Sequence, residues 1–443
     1  MFKVLMIGWE YPPKITGGLG TACYNIAKAL SDSGNEIYFV LPHLSGEEPK
    51  LQNIKMFDVE GSVVDFEEEE RKILFQLQKE SIYKSLSLQA FHPYESSREI
   101  SLRETEPFTM EKVATLSETI RHSSNDESVK IQSGYTNNII NDIQLYARFN
   151  SILARKLDFE IIHCHDWMTF PAGVETARST GKPLICHVHA TEFDRSGERV
   201  NQQVYDLERA AFKEAAAIIT VSNYTKRILM ERYSVPEYKI YPIHNGVEFE
   251  LDRNLLRKNK STENQERLVL FLGRITFQKG PDYFVRAAKR VLEVADNVRF
   301  VMAGTGDMYA RMIEMAADLG IGKYFHYTGF LSKEETRQLY SMADLYIMPS
   351  VSEPFGLSTL EAMSGGVPVI LSKQSGVGEV VNNCIKVDFW DVEDMASKIV
   401  SVLSDRNLHA TLRDGGLEEA TNNSWSKTGK RIEEVYAKVI NRK

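Results

Sequence analysis

Between Pro349 and Glu361 the chain carries two carboxylates, Glu353 and Glu361, eight positions apart around the turn Pro354, Phe355, Gly356. An apolar run from Asp344 to Met348 leads in and reads as a buried strand, and Leu357, Leu360 and Met363 lead out at helical spacing. A helix starting near Gly356 presents free N–H groups and a positive end, which attract phosphate. Glu361, about one turn in, would repel an anion at the tip. It is better used as a bidentate acceptor for a vicinal diol such as a ribose. Glu353 lies ahead of the turn and would reach a neutral, hydroxyl-rich part of the same ligand. Alone, the two would read as a cap and a surface glutamate; the turn between them favours a ligand site.

Arg274 and Lys279 follow another apolar run, Leu268 to Leu272. Two fixed cations at a strand end can stabilise the charge that develops on a departing diphosphate. No Asp-x-Asp pair occurs in the chain, which removes one common holder of Mg2+ or Mn2+. His163 and His165 alternate on a strand and share a face, with His189 ending the next strand. No HExxH helix accompanies them, so no metal is expected, and His163 reads as a packed or hydrogen-bonded strand residue. Asp166 and Trp167 read two ways: a carboxylate and an indole face for a sugar acceptor, or an N-cap aspartate and a core tryptophan. Gly17 and Gly18 either let the backbone approach a ligand or only make a tight strand–helix turn. Gly304 and Gly306 lack the rest of a phosphate loop and read as a turn.

These residues sit on a recurring pattern. Strands are expected at 3–7, 37–41, 159–162, 184–190, 216–221 and 240–243, with a helix after the first glycine turn and a helical pattern from Tyr146 to Leu157. A polar stretch over about 251–266 reads as a linker. Five more strands follow, at 268–272, 298–302, 325–327, 345–348 and 367–371, each ending in a polar or glycine-rich turn. This is the signature of two doubly wound α/β domains, in which ligands sit at the carboxyl ends of strands. Residues 60–140 break the pattern with an acidic run, Glu67 to Glu70, and read as an insertion with 99–133 as its mobile part. The final segment, Trp425 to Lys443, reads as an amphipathic helix.

The 443 residues exceed one ordinary domain. A net charge of −8 without a large basic block points away from nucleic acid or an anionic membrane as the main partner. No apolar run reaches the ~20 residues of a membrane span. The N-terminus lacks the apolar core of a signal peptide. Four scattered cysteines with no CxxC pair fit reduced thiols in a cytoplasm.

Together, Glu353 and Glu361 in E-P-F-G-L-x-x-x-E, Gly273-Arg274 with Lys279-Gly280, the run from His163 to Trp167, and Lys14 with Gly17-Gly18-Leu19 resemble the retaining GT-B glycosyltransferases. Within them the chain looks most like the glycogen and starch synthases and their near relatives, over nearly its whole length except 60–140. The resemblance implies two Rossmann-like domains facing across a cleft. The first, residues 1–250, would lie on the acceptor side. The second, 251–424, would bind a nucleotide sugar, and the helix from 425 to 443 would return to the first. The activity implied is transfer of glucose from ADP- or UDP-glucose to an α-1,4-glucan, without metal or other cofactor. Arg274 and Lys279 would hold the diphosphate and Glu361 the ribose. Glu353 and the backbone of Phe355, Gly356 and Leu357 would position sugar and phosphates, and His189 would lie near the anomeric carbon. Gly17 and Gly18 would approach the donor from the first domain. Base contacts are expected near Phe330, and Asp166 and Trp167 are the acceptor candidates. One departure is that Lys14 stands one residue further from the glycine pair than in the synthases. The alternatives are a related transferase with another sugar or a small or lipid-linked acceptor, a sugar-nucleotide epimerase, a phosphorylase, and a non-catalytic sugar-nucleotide sensor.

Overall fold

A computed structural model describes residues 1–15, 17–59, 139–248 and 266–441. The first unit builds one parallel seven-stranded sheet. Its elements are β1 (Lys3–Ile7), α1 (Gly18–Asp32), β2 (Glu36–Val40), β3 (Ile54–Phe57), α2 (Ile139–Ala154), β4 (Ile161–His165), α3 (Phe170–Thr180), β5 (Leu184–Val188), α4 (Glu192–Ser196), α5 (Gln202–Glu214), β6 (Ala217–Thr220), α6 (Asn223–Tyr233) and β7 (Ile240–Pro242). The strand order is β3-β2-β1-β4-β5-β6-β7. The second unit runs β8 (Arg267–Leu272), α7 (Pro281–Leu292), β9 (Val298–Ala303), α8 (Tyr309–Asp318), β10 (Phe325–Gly329), α9 (Lys333–Met342), β11 (Leu345–Met348), α10 (Leu357–Ser364), β12 (Val369–Ser372), β13 (Ile385–Val387), α11 (Val392–Ser404) and α12 (Arg406–Asn422). Its parallel sheet has the order β10-β9-β8-β11-β12-β13. The last helix, α13 (Trp425–Ile440), follows.

Both sheets are covered on both faces, which is why their central strands are apolar without alternation. The four buried residues Val4 to Ile7 of β1 divide between two core clusters, one on each side of the sheet. The second sheet has the same arrangement. Helix α13 belongs to the first unit by packing. Trp425, Ile432, Val435, Tyr436 and Val439 join Cys23, Ile26 and Leu30 of α1 in one core. The chain leaves the first unit at Val247 and comes back at Ser424, and these two residues pair. A Cβ on Gly246 would lie 2.3 Å from the Trp425 backbone, so the crossings pass in contact.

Several boundaries differ from the sequence reading. Strand β4 runs on to His165, and β3 and β13 are added as edge strands, each too short or too exposed to show a clear apolar run. Helix α2 starts at Ile139, seven residues before Tyr146, and takes the last residues of the expected insertion. The rest of that insertion and nearly all of the expected linker lie outside the described residues. Among the described residues no helix is long and apolar enough to cross a membrane. The four cysteines are free.

Candidate functional site

Each sheet reverses its strand order at one place: between β1 and β4 in the first, and between β8 and β11 in the second. The crevice beyond the carboxyl ends of such strands is where an open α/β sheet binds ligands. The loop after β1 carries Gly17 and Gly18, that after β4 carries Asp166, that after β8 carries Arg274 and Lys279, and that after β11 carries Glu353 to Gly356.

The two loops of the second unit interlock. Val351 N–H donates to the Gln278 carbonyl (2.9 Å). A Cβ on Gly280, which has a φ of 64°, would sit 2.2 Å from the Pro349 carbonyl oxygen. This closeness brings Lys279 Nζ to 2.5 Å from Glu353 Oε2, and Ser350 Oγ donates to the same oxygen at 3.2 Å. Arg274 is braced by Gln278 Oε1 (3.2 Å), and its turn is backed by the Gly304 loop, where Ile275 N–H reaches the Thr305 carbonyl. Gly304 and Gly306 are therefore close-packing glycines: a Cβ on either would lie within 2.3 Å of a carbonyl oxygen in the Arg274 turn. The Gly304 N–H donates in turn to Gly329, which precedes Phe330; the Phe330 ring is exposed.

Gly356 caps α10 with φ 106° and no side-chain cap, and that helix has no acidic residue in its first turn. Gly17 caps α1 from extended backbone, and that helix too has no side-chain cap and no acidic residue in its first turn. The two helix starts meet: a Cβ on Gly18 would lie 3.6 Å from Leu357 Cδ1. The Phe355 ring is packed into the core, and its carbonyl accepts from Val377 N–H at 2.7 Å. Glu361 is half-buried, with Tyr340 Oη 3.4 Å from Oε2. Burial raises its carboxyl above the usual range, against the opposing effects of Tyr340 and Lys333.

On the other wall, His189 directly follows β5. Asp166, itself at φ 61°, accepts from the His189 N–H (2.6 Å) and the Ala190 N–H (3.3 Å). Burial pushes its carboxyl up to about 7, against the pull of Arg195 and these two amides. The Trp167 indole is 1 % exposed and belongs to the first unit's core. That corrects the expectation of a stacking platform: no face of the ring is open to a sugar. Asp166 is spent on holding the His189 loop. Beyond that loop, Thr191 and Asp194 form a capping box on α4, and Arg195 pairs with Glu192 (3.1 Å) and Glu208 (2.6 Å) in a buried network.

The histidines form a column. His163 and His165 on β4 lie beside His187 and His189 on and after β5, with adjacent rings 4.3–5.4 Å apart between centroids. Burial keeps all four neutral, His163 and His189 with pKa values of about 3. Ring nitrogens of His163, His165 and His187 come within 4.8 Å of one another. Two of these nitrogens face each other, His163 Nε2 and His187 Nδ1 at 3.1 Å, and His165 Nδ1 faces His189 Nε2 at 3.0 Å.

Contacts between the units complete the crevice, and sequence reading missed most of them. Ser352 Oγ donates to Asp194 Oδ1 (2.6 Å) and accepts from Tyr224 Oη (2.9 Å). Ser222 Oγ donates to the Pro354 carbonyl at 2.6 Å. Glu379 accepts from the N–H groups of Asn223 and Tyr224 at the start of α6 and lies 2.7 Å from His244 Nε2. Burial pushes Glu379 up, but those bonds outweigh it and hold its pKa at about 2. These pairs are 128–158 residues apart in sequence, where no local spacing links them. A serine directly after an expected strand is a helix-start signal, and among these residues only Ser222, which accepts from the Thr225 N–H, carries it.

Comparison with known proteins agrees with this geometry. The family "Glycosyl transferases group 1" matches residues 252–418, and "Glycosyltransferase Family 4" matches 119–251. An uncharacterized glycosyltransferase of Methanocaldococcus jannaschii is 26 % identical, over 98 % of this chain and 97 % of its own. A glycogen synthase of Mycobacterium tuberculosis is 24 % identical, over 91 % and 86 %. Among solved structures, sucrose-phosphate synthase from Thermosynechococcus elongatus aligns with a TM-score of 0.71 at 16 % identity, covering 100 % of both chains. Anabaena HepE in complex with UDP and glucose aligns at 0.65 and 16 %, covering 99 % and 100 %. At these identities the two structures speak to the fold alone.

Proposed function

We propose that this chain, matched over 252–418 by the group 1 glycosyltransferases and over 119–251 by glycosyltransferase family 4 and folded as the two parallel sheets of GT-B, is a retaining enzyme moving glucose from ADP- or UDP-glucose to the non-reducing end of an α-1,4-glucan. The observation that carries this reading is the Ser352–Asp194 bond. It ties the loop holding Glu353 to α4, the helix that starts three residues after His189, and so supports one ligand shared by the cations of one wall and the histidine of the other. The glucan acceptor is supported by the match to a glycogen synthase over most of both chains. The nucleoside diphosphate is supported by the uncapped starts of α1 and α10, which suit phosphate.

In this reaction the acceptor hydroxyl oxygen attacks the anomeric carbon on the face from which the diphosphate departs. The bond from that carbon to the phosphate oxygen breaks through an oxocarbenium-like state. The hydroxyl proton passes to the departing phosphate oxygen. Arg274 and Lys279 stabilise the charge that develops there, which leaves no step that requires a metal. Glu361 takes the ribose diol, and Glu353 and the Gly356–Leu357 backbone orient the sugar. Phe330 stands where the base would lie.

Burial of Trp167 removes the aromatic acceptor contact that a glucan reading would use, and this favours a second reading: the same transfer to a small acceptor. The test is nucleoside diphosphate release from ADP- and UDP-glucose, with and without glycogen or maltooligosaccharide, repeated in EDTA. Acceptor-dependent release and an α-configured product, unchanged by chelator, are expected. Conversion of the sugar nucleotide without acceptor would indicate an epimerase, and binding without turnover a sensor. Strict metal dependence would overturn the role given to Arg274 and Lys279.

A further inference from the structure

We propose that His165 is a positioning residue: it holds His189 in the tautomer protonated on Nδ1, so that His189 meets the cleft as a hydrogen-bond donor. This rests on the reading of His189 given above and deepens it. The argument starts from register. His165 pairs with His187 across β4 and β5, and the strand alternation puts His189 on the same face, one step further towards the cleft. His165 Nδ1 lies 3.0 Å from His189 Nε2. His165 Nε2 is fully buried and has no hydrogen-bond partner.

Each neutral imidazole carries one proton, so the 3.0 Å contact has one donor. If His189 Nε2 carries the proton, His165 must place its own on Nε2, where it becomes a buried N–H with no acceptor. If His165 Nδ1 carries it, His165 keeps only a bare lone pair at Nε2, and the proton of His189 moves to Nδ1. Orphaned buried N–H groups are the rarer defect, so the second arrangement wins. The neighbouring column obeys the same rule. His187 Nε2 is also buried without a partner, His187 Nδ1 lies 3.1 Å from His163 Nε2, and His163 Nδ1 lies 2.5 Å from Tyr436 Oη. With each proton on Nδ1, no histidine of the column hides an unsatisfied N–H. The bonds from Asp166 to the His189 and Ala190 amides fix the backbone from which the ring projects, leaving its rotation and proton to His165.

The test uses the full chain labelled with 15N-histidine and long-range 1H–15N correlation, with the His189 signal assigned by its loss in His189→Gln. Protonation at Nδ1 is expected in the wild type. In His165→Phe the His189 proton shifts to Nε2 or to a mixture. There kcat falls by up to about 100-fold, the cost of a small misplacement of a reacting group, while the donor KM changes little. His165→Asn, whose amide can replace the Nδ1–H donor, keeps the wild-type tautomer and most of kcat; it also serves if the phenylalanine variant does not fold. A wild-type His189 protonated at Nε2 overturns the proposal. So does a folded His165→Phe with an unchanged tautomer, whatever its activity. Full transfer by His189→Gln would remove His189 from the reaction, and the tautomer readout would still judge His165.

Discussion

Replacing Lys279 by Met removes the cation that sits 2.5 Å from Glu353 Oε2. The Glu353 side chain is 6 % exposed and Lys279 20 %. The carboxylate would keep only the Ser350 hydroxyl at 3.2 Å. Breaking a buried pair from one side costs about 3–5 kcal/mol, because a charge is left without compensation. Lys279 is one-fifth exposed and water can replace part of it, so about 2–3 kcal/mol is the working figure. Lys279→Met with Glu353→Gln removes both charges and should return to within about 1 kcal/mol of wild type, a coupling of about 1–3 kcal/mol. Catalysis should behave differently. Loss of one cation at the departing diphosphate is worth about 100- to 1,000-fold in kcat, and the double variant should recover none of it. Urea unfolding and nucleoside diphosphate release, measured on wild type, both single variants and the double, separate the two roles. A double variant as unstable as Lys279→Met would refute the ion pair's place in the fold. Wild-type turnover in either lysine variant would refute its place in the chemistry.

Three further outcomes follow from the same geometry. Asp166 has a folded pKa of about 7, above the ~3.9 of an unfolded aspartate. Its contribution to stability is therefore full below about pH 4 and lost as pH rises through about 7. The fall in Tm between pH 5 and 8 should be smaller in Asp166→Asn than in wild type, and parallel profiles would contradict this. Gly356→Ala puts a Cβ 2.9 Å from Met348 Cε at φ 106°. It should cost at least about 1–2 kcal/mol in backbone strain and raise the donor KM; an unchanged Tm and KM would argue against the capped turn. Trp167→Phe should lower stability by about 1–3 kcal/mol as a core truncation and leave acceptor KM within about twofold. A large rise in acceptor KM at unchanged stability would restore the indole to the acceptor site.

The strand-end turns were legible because each has a local signal. Apolar runs closed by Gly273, Gly304, Gly329 or the Glu353 turn need no knowledge of the rest of the chain. So were the two sheets, whose strands alternate with helical patterns. Three things were not. Trp167 follows Asp166 at a strand end, a position that suits either a ligand or the core; only its burial in the core that α2, α3 and α5 help to build decides for the core. The Lys279–Glu353 pair spans 74 residues and depends on Gly280 fitting against Pro349, a close approach that spacing cannot reveal. His187, inside the strand expected at 184–190, shows no signal of its own until β4 and β5 are set in register, which puts it in one column with His163, His165 and His189. In each case the missing term is a long-range contact between segments whose local patterns are satisfied on their own.

Helix starts tie these observations together. The free N–H groups at the start of α6 are met by a carboxylate of the same chain: Glu379 reaches across from the second unit to Asn223 and Tyr224 and fastens the two units there. Helices α1 and α10 have the same physical need, but neither is met by a side chain. Both begin at a glycine, without a side-chain cap and without an acidic residue in the first turn. The two starts touch through Leu357 and the Gly18 backbone, which places two positive helix ends side by side. A carboxylate at either cap would stabilise the free protein, though glycine is itself a tolerated cap, so its absence costs only about a few tenths of a kcal/mol at each helix; a bound anion can offset that and gain from both helix ends. A diphosphate has two phosphates for the two helix ends, with Arg274 and Lys279 on the adjoining loop. A single carboxylate ligand or a neutral sugar would leave one end unmatched. The pairing of uncapped helices across the crevice thus supports the proposed diphosphate independently of the spacing of Glu353 and Glu361.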